Sequence, residues 1–151
     1  MSLFDKITQD LKAAMLAKER DKLEALRAIK TALLHAKTEK GVSGELTPGA
    51  ELIIIQKLIK LRKDAAEIFI SQGRKDLYNK EMMEVSVIEQ YLPEQLSEDE
   101  LTEKLQEIIK RVNASSVKDM GTVMSTATKE LAGKAENKLI AEIAKKILNS
   151  L

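Results

Sequence analysis

The stretch EQYLPEQLSEDEL, residues 89–101, decides how this chain is divided. A helical apolar pattern runs into Tyr91 and Leu92. Pro93 stops it, because the proline ring removes an amide donor and clashes with the preceding turn. Ser97 is then followed three places on by Glu100. That is a capping box: the serine hydroxyl accepts a bond from a free amide at a helix start, and the glutamate reaches back to the serine amide. One helix ends here and another begins, so the stretch predicts a joint between two pieces. The reading is all-α: an N-terminal domain of about four helices over 1–95 and a C-terminal three-helix domain over 96–151.

Working outward from the joint, the helical period persists in both directions. Ser2 with Asp5 caps a first helix carrying Phe4, Ile7, Leu11 and Ala14. KERDK is a polar corner, and Leu23, Leu26, Ile29 and Leu33 mark one face of a second helix. EKGVSGELTPG is a loop. Thr47 and Pro48 cap and open a long third helix that ends near Gly73, and a fourth runs from about Asp76 to Leu92. Beyond the joint, Leu101, Leu105, Ile108 and Val112 mark a fifth helix. Ser116 with Asp119 forms a second capping box for a sixth, traced from Met120 to Leu131 and closed by Gly133. Leu139, Ile143 and Ile147 mark the last.

Composition narrows the function classes. The chain has 25 basic and 24 acidic residues among 151, a formal +1. It has no strong overall field for polyanions, and no DNA partner is expected. Two Phe, two Tyr and no Trp leave few rings on which bases could stack. The absence of cysteine excludes a disulfide scaffold, a thiolate nucleophile and thiolate metal ligands. MSLFDKITQDL lacks the basic-then-apolar layout of a signal peptide. No apolar run approaches the ~20 residues of a membrane span. No membrane association is expected, and a cytoplasmic location is.

One charge stands where an apolar residue belongs. On a wheel at roughly 100° per residue the third helix has an apolar arc wider than half its circumference, as for a central helix packed on two sides. Arg62 falls near the middle of that arc, and Glu81 falls inside the apolar arc of the fourth helix. A lone buried charge is too costly to keep, so Arg62 should pair with a carboxylate of the next helix. Glu81 is the leading candidate; the hairpin register could instead favour Glu84. A structural ion pair is the plainer reading, and an anchoring role for a ligand the sharper one.

No catalytic constellation emerges, and no cofactor or metal is expected. His35, the single histidine, lies opposite the apolar face of its helix, and one histidine without cysteine makes no zinc signature. The cap role explains Ser116. Gly121 and Gly133 are not a phosphate loop, for no strand precedes them and no Gly-Lys-Ser/Thr follows. Met82, Met83, Met120 and Met124 sit at helical core positions. Charge is more informative. From Ile108 to the end there are eight bases against four acids, a surplus of four. A local basic surface binds phosphates by releasing counterions, although lysines also simply solubilise helices.

The stretches LKAAMLAKERDKLEALRAIKTAL, GRKDLYNKEMMEV, EQYLPEQLSEDEL and DMGTVMS followed by LAGKAENKLI resemble the GatB/YqeY family, in particular its free-standing YqeY-like members, over essentially the whole chain. The resemblance implies two helical domains. It implies that the second is similar to the tail of the GatB subunit of the glutamine-dependent amidotransferase, a carbon–nitrogen ligase, where the tail helps grip tRNA and transamidation occurs elsewhere. The family tail often reads DMGKVMG and then GxxDG. Here Thr122 replaces the lysine, Ser125 the second glycine, and Glu136 with Asn137 the Asp-Gly pair. The implied partners are tRNA, or aminoacyl-tRNA and amidotransferase components. The RNA-contact candidates are Lys110, Arg111, Lys118, Lys129, Lys134 and Lys138. Three functions follow in order: a tRNA-associated accessory protein, a protein-interaction adaptor without RNA, and last an autonomous amidase; a part in glutamine-dependent amidation, as a component of carbon–nitrogen ligase activity, would require a partner.

Overall fold

The computed structural model describes residues 2–39 and 46–151. Most of the loop expected in EKGVSGELTPG, residues 40–45, lies outside the described residues. Among the described residues the chain is helical with no strand: α1 (Leu3–Leu16), α2 (Arg20–Glu39), α3 (Pro48–Ser71), α4 (Lys75–Glu89), α5 (Glu98–Arg111), α6 (Met120–Glu130) and α7 (Asn137–Asn149), with one 3-10 turn at Val117–Asp119. Contacts group the chain into two compact units, Met1–Leu92 and Pro93–Leu151.

In the first unit, local chemistry starts the helices. The Asp5 amide donates to Ser2 Oγ at 3.1 Å, and the Ala50 amide to Thr47 Oγ1 at 3.2 Å. Pro48 occupies the first position of α3, where its missing N–H is not needed. The helix ends use the left-handed region. At Lys18 (φ 57°) and Gly73 (φ 73°) the chain turns out of α1 and α3. The amide after each, Glu19 or Arg74, reaches back to Ala14 O or Phe69 O at 3.0 and 2.8 Å, satisfying carbonyls the helix end would orphan. Ile7, Leu26, Leu33, Ile55 and Ile88 are fully buried and form the heart of this core, with Met82 and Met83 packed against it.

Two expectations are revised here. α4 ends at Glu89, short of Leu92. The amides of Gln90, Tyr91 and Leu92 donate three residues back, to Val87, Ile88 and Glu89, so the final turn tightens while the apolar period continues. Tyr91 then donates its hydroxyl to the Asp10 carboxylate at 2.5 Å, tying the end of α4 to α1. α3 does pack against both α4 and α2. Part of its apolar arc nevertheless stays in solvent, including Leu61 and Ile68.

The second unit opens with the capping box read from the sequence. The Glu100 amide donates to Ser97 Oγ, and the Ser97 amide to Glu100 Oε1, both at 3.2 Å. Just before it, the Leu96 amide donates to Lys134 O (2.9 Å) and Gln95 Nε2 to Gly133 O (2.6 Å), stitching the leading segment to the α6–α7 corner. The Ser116–Asp119 box starts the 3-10 turn, and α6 follows from Met120. Gly133 (φ 75°) makes the corner before α7. Leu101, Leu105, Ile108, Val123, Ile140 and Ala144 form the core, backed by Met120 and Met124.

The two left-handed helix ends predict opposite effects. An L side chain in that region costs about 1 kcal/mol, so Lys18→Gly should raise stability and Gly73→Ala lower it, each by roughly that amount. A Cβ at Gly73 would meet nothing within 4 Å, so the loss there is conformational rather than steric. Urea midpoints of the two variants check both signs.

Candidate nucleic-acid interface

The α3–α4 hairpin turns at Gly73. Arg62 precedes that glycine by eleven residues and Glu84 follows it by eleven, so the turn brings the two to one height. Arg62 Nε lies 3.4 Å from Glu84 Oε2, with both side chains largely buried at 16% and 12% exposure. Arg62 also donates Nη1 to Leu58 O at 3.2 Å. Its Nε has no aligned hydrogen-bond acceptor, so the contact with Glu84 is mainly Coulombic.

Burial pushes the Glu84 carboxyl above the ordinary carboxylate range. Arg62 pulls it back, and the negative charges of Glu81 and Glu24 push it further up. Glu81, the leading candidate partner, is therefore a half-buried neighbour of the pair; it follows Gly73 by only eight residues, about one helical turn short. Lys80 balances this acidic side, reaching Glu24 of α2 at 3.4 Å. The arrangement is an ion pair inside the α3–α4 interface.

The RNA-contact candidates separate into two groups. Arg111, in the last turn of α5, donates Nη1 and Nη2 to the two oxygens of Glu130 at 2.6 and 2.8 Å. This bidentate bond raises the arginine pKa and lowers that of Glu130. The guanidinium is thus engaged across α5 and α6 and not held open for a phosphate. Lys110, Lys118, Lys129, Lys134 and Lys138 are all exposed. None has a carboxylate within 4.0 Å among the described residues. Three of these lysines, Lys129, Lys134 and Lys138, fall in ten residues around the α6–α7 corner. Beneath them Leu131, Gly133 and Ala135 are buried, so the corner is fixed by packing while the ammonium groups stay in water.

Gly121, set aside as a phosphate loop in the sequence, stands out in the structure. It lies exposed in the first turn of α6, and a Cβ there would meet nothing within 4 Å. Neither packing nor backbone conformation requires glycine, which costs roughly 1 kcal/mol relative to alanine in a helix. Its place in the DMGTVMS stretch was the available signal. Nearby, the Asp119 carboxylate accepts the amides of Ser115 (2.8 Å) and Ser116 (3.3 Å), which lowers its pKa. That accounts for both serines as structural. His35 is exposed beside Glu39, with Nδ1 3.8 Å from Oε2. Among the described residues no cluster of His, Asp and Glu is arranged to hold a metal. No helix among them is long and apolar enough to cross a membrane.

An all-α protein of two compact helical units, with a buried ion pair in one and open lysines on the other, is the class these features define. The chain belongs to the YqeY family, matching the description Yqey-like protein over residues 4–148. It is 32% identical over 127 residues to a protein of Pyrenophora tritici-repentis named altered inheritance of mitochondria protein 41, mitochondrial, covering 80% of this chain and 68% of that one. A protein of the same name from Clavispora lusitaniae is 27% identical over 135 residues, covering 87% and 77%. A third, from Eremothecium gossypii, is 34% identical over 86 residues, covering 57% and 46%.

These relatives correct the expectation of a cytoplasmic protein, since their names assign them to mitochondria. Charge balance and lack of cysteine suit any reducing aqueous compartment, so composition had no power to separate the two.

The ion pair predicts non-additive mutations. Arg62→Met leaves Glu84 buried without its counter-charge and should cost about 3 kcal/mol, whereas the double change Arg62→Met with Glu84→Met should recover most of the loss. Chemical denaturation of the three variants measures this cycle. The raised pKa of Glu84 also has a signed consequence. The folded state keeps that proton to higher pH than the unfolded chain, so this group's contribution to stability falls as pH rises above about 4.5. Glu84→Gln should remove that descending component from a plot of stability between pH 4.5 and 7.

Proposed function

We propose that the protein is an RNA-associated accessory factor of the YqeY family, that its ligand is a folded polyanion of the tRNA class, and that it binds without catalysing a reaction. The observation that carries this reading is the set of five exposed lysines in the second unit with no carboxylate partner among the described residues. An unpaired ammonium group releases phosphate counterions on contact, while one already neutralised gives little. Gly121 adds support: an exposed helical glycine without a packing reason leaves room for a backbone to approach closely. The low aromatic content favours recognition of shape and phosphate over stacking of bases.

Amidation by the isolated chain is the weaker reading, because no activated nucleophile that could release ammonia from glutamine is present among the described residues. Conversion of Glu-tRNA by the purified protein alone would reverse that ranking.

Binding of tRNA should weaken steeply between about 50 and 200 mM salt, with the logarithmic slope falling by about one for each phosphate-contacting lysine removed. Charge reversal at Lys129, Lys134 and Lys138 should abolish most binding, with unchanged helicity. Arg111→Gln should instead act chiefly on stability. Gly121→Ala is the sharper probe: it should stabilise the fold by roughly 1 kcal/mol yet weaken binding. Filter binding and thermal melts on the same preparations read both. Undiminished binding after the triple reversal would remove the assignment.

A further inference from the structure

We propose that the exposed seam of α3 pairs with the same seam of a second copy of this chain, antiparallel and across a two-fold axis. Ile54, Leu58, Leu61, Ala65 and Ile68 follow one another at spacings of four, three, four and three residues. That is the alternation of a coiled-coil seam, whose two positions per heptad face a partner helix. Ile54 and Leu58 are half-buried against the unit's own core, Ala65 is half-buried, and Leu61 and Ile68 are 55% and 56% exposed. Leu61 and Ile68, one heptad apart, are the exposed members of the row, with Ala65 half-buried between them. The second unit, by contrast, exposes only Val117 and Leu151 among its large apolar residues.

Charge selects the occupant. One flank of the seam carries Lys57 and then Asp64, one heptad apart in equivalent flanking positions. Opposite charges on one flank are self-complementary only when the partner runs the other way, so Asp64, which bonds the exposed Lys60 of its own helix at 3.2 Å in the single chain, exchanges it for Lys57 of the other copy, twice by symmetry. The other flank carries Ile55 and Arg62, which the chain buries in its own core and ion pair. A parallel arrangement would set Lys57 beside that occupied flank and gain no such pair. The contact is short. A seam with two exposed anchors per copy suits weak association, so dissociation is expected in the micromolar range.

Sedimentation equilibrium of the full chain across micromolar concentrations tests the pairing. The native protein should move from monomer to dimer with concentration. Leu61→Asp, at a site exposed in the monomer, should weaken association by at least about tenfold with unchanged circular dichroism. Lys57→Asp and Asp64→Lys should each weaken self-association, the double exchange should restore it, and the two single variants mixed together should form a heterodimer. A native chain that stays monomeric throughout overturns the proposal. So does a dimer that survives Leu61→Asp, and so does a double exchange that fails to restore what the singles lose. Binding of the seam to another protein or to vesicles in place of self-association would count equally against it.

Discussion

The Arg62 guanidinium, held against Glu84 in the apolar seam between α3 and α4, fixes how the first unit is assembled. A charge buried on one helix tolerates few rotations of that helix, because each step of about 100° would carry it away from its counter-charge. The pair gains its geometry from the turn at Gly73, which sits midway between the two residues in sequence. Once Arg62 faces inward, its neighbour Leu61 must point elsewhere, and it emerges in solvent. The same constraint that orders the interior thus decides what the outside of α3 displays. Burial raises the proton affinity of Glu84 despite the arginine, so the pair is better at choosing a register than at adding net stability.

In the second unit electrostatics work at the surface. The first turn of α5 carries Glu98, Asp99 and Glu100, and its last turn Lys110 and Arg111, an order that suits the helix dipole. The Arg111–Glu130 contact uses one base and one acid to bridge α5 and α6. What remains is a set of lysines supported by a packed aliphatic core, with no carboxylate within 4.0 Å among the described residues. If these lysines attract a polyanion as proposed, stability and ligand attraction rest on different side chains, and a change at one should leave the other intact.

The parts of this structure legible in the sequence are those written in local chemistry. Ser97 with Glu100, Thr47 with Pro48, and Ser2 with Asp5 each satisfy a backbone group within a few residues, and each starts a helix where the residues say it should. The end of α4 was less legible: Tyr91 and Leu92 keep the apolar period while the backbone tightens beneath them, and periodicity records side chains rather than hydrogen-bond ladders. The choice between Glu81 and Glu84 turned on the height of a hairpin, a tertiary quantity. The pairing of Arg111 with Glu130, nineteen residues away, could not be read from a count of charges. Gly121 was noticed as a motif letter, but only the empty space around it shows that the fold does not need it.

The distribution of rings has an optical consequence. Tyr78, Tyr91, Phe4 and Phe69 all belong to the first unit, and the second has none. Burial, reinforced by the hydrogen bond that its hydroxyl donates to the Asp10 carboxylate, holds the Tyr91 phenol well above its ordinary pKa. Near-ultraviolet absorption and phenol emission therefore report on the first unit alone, while far-ultraviolet ellipticity sums the helices of both. Differences between the two signals would separate the melting of one unit from the other in the native chain, without a dye or an introduced tryptophan.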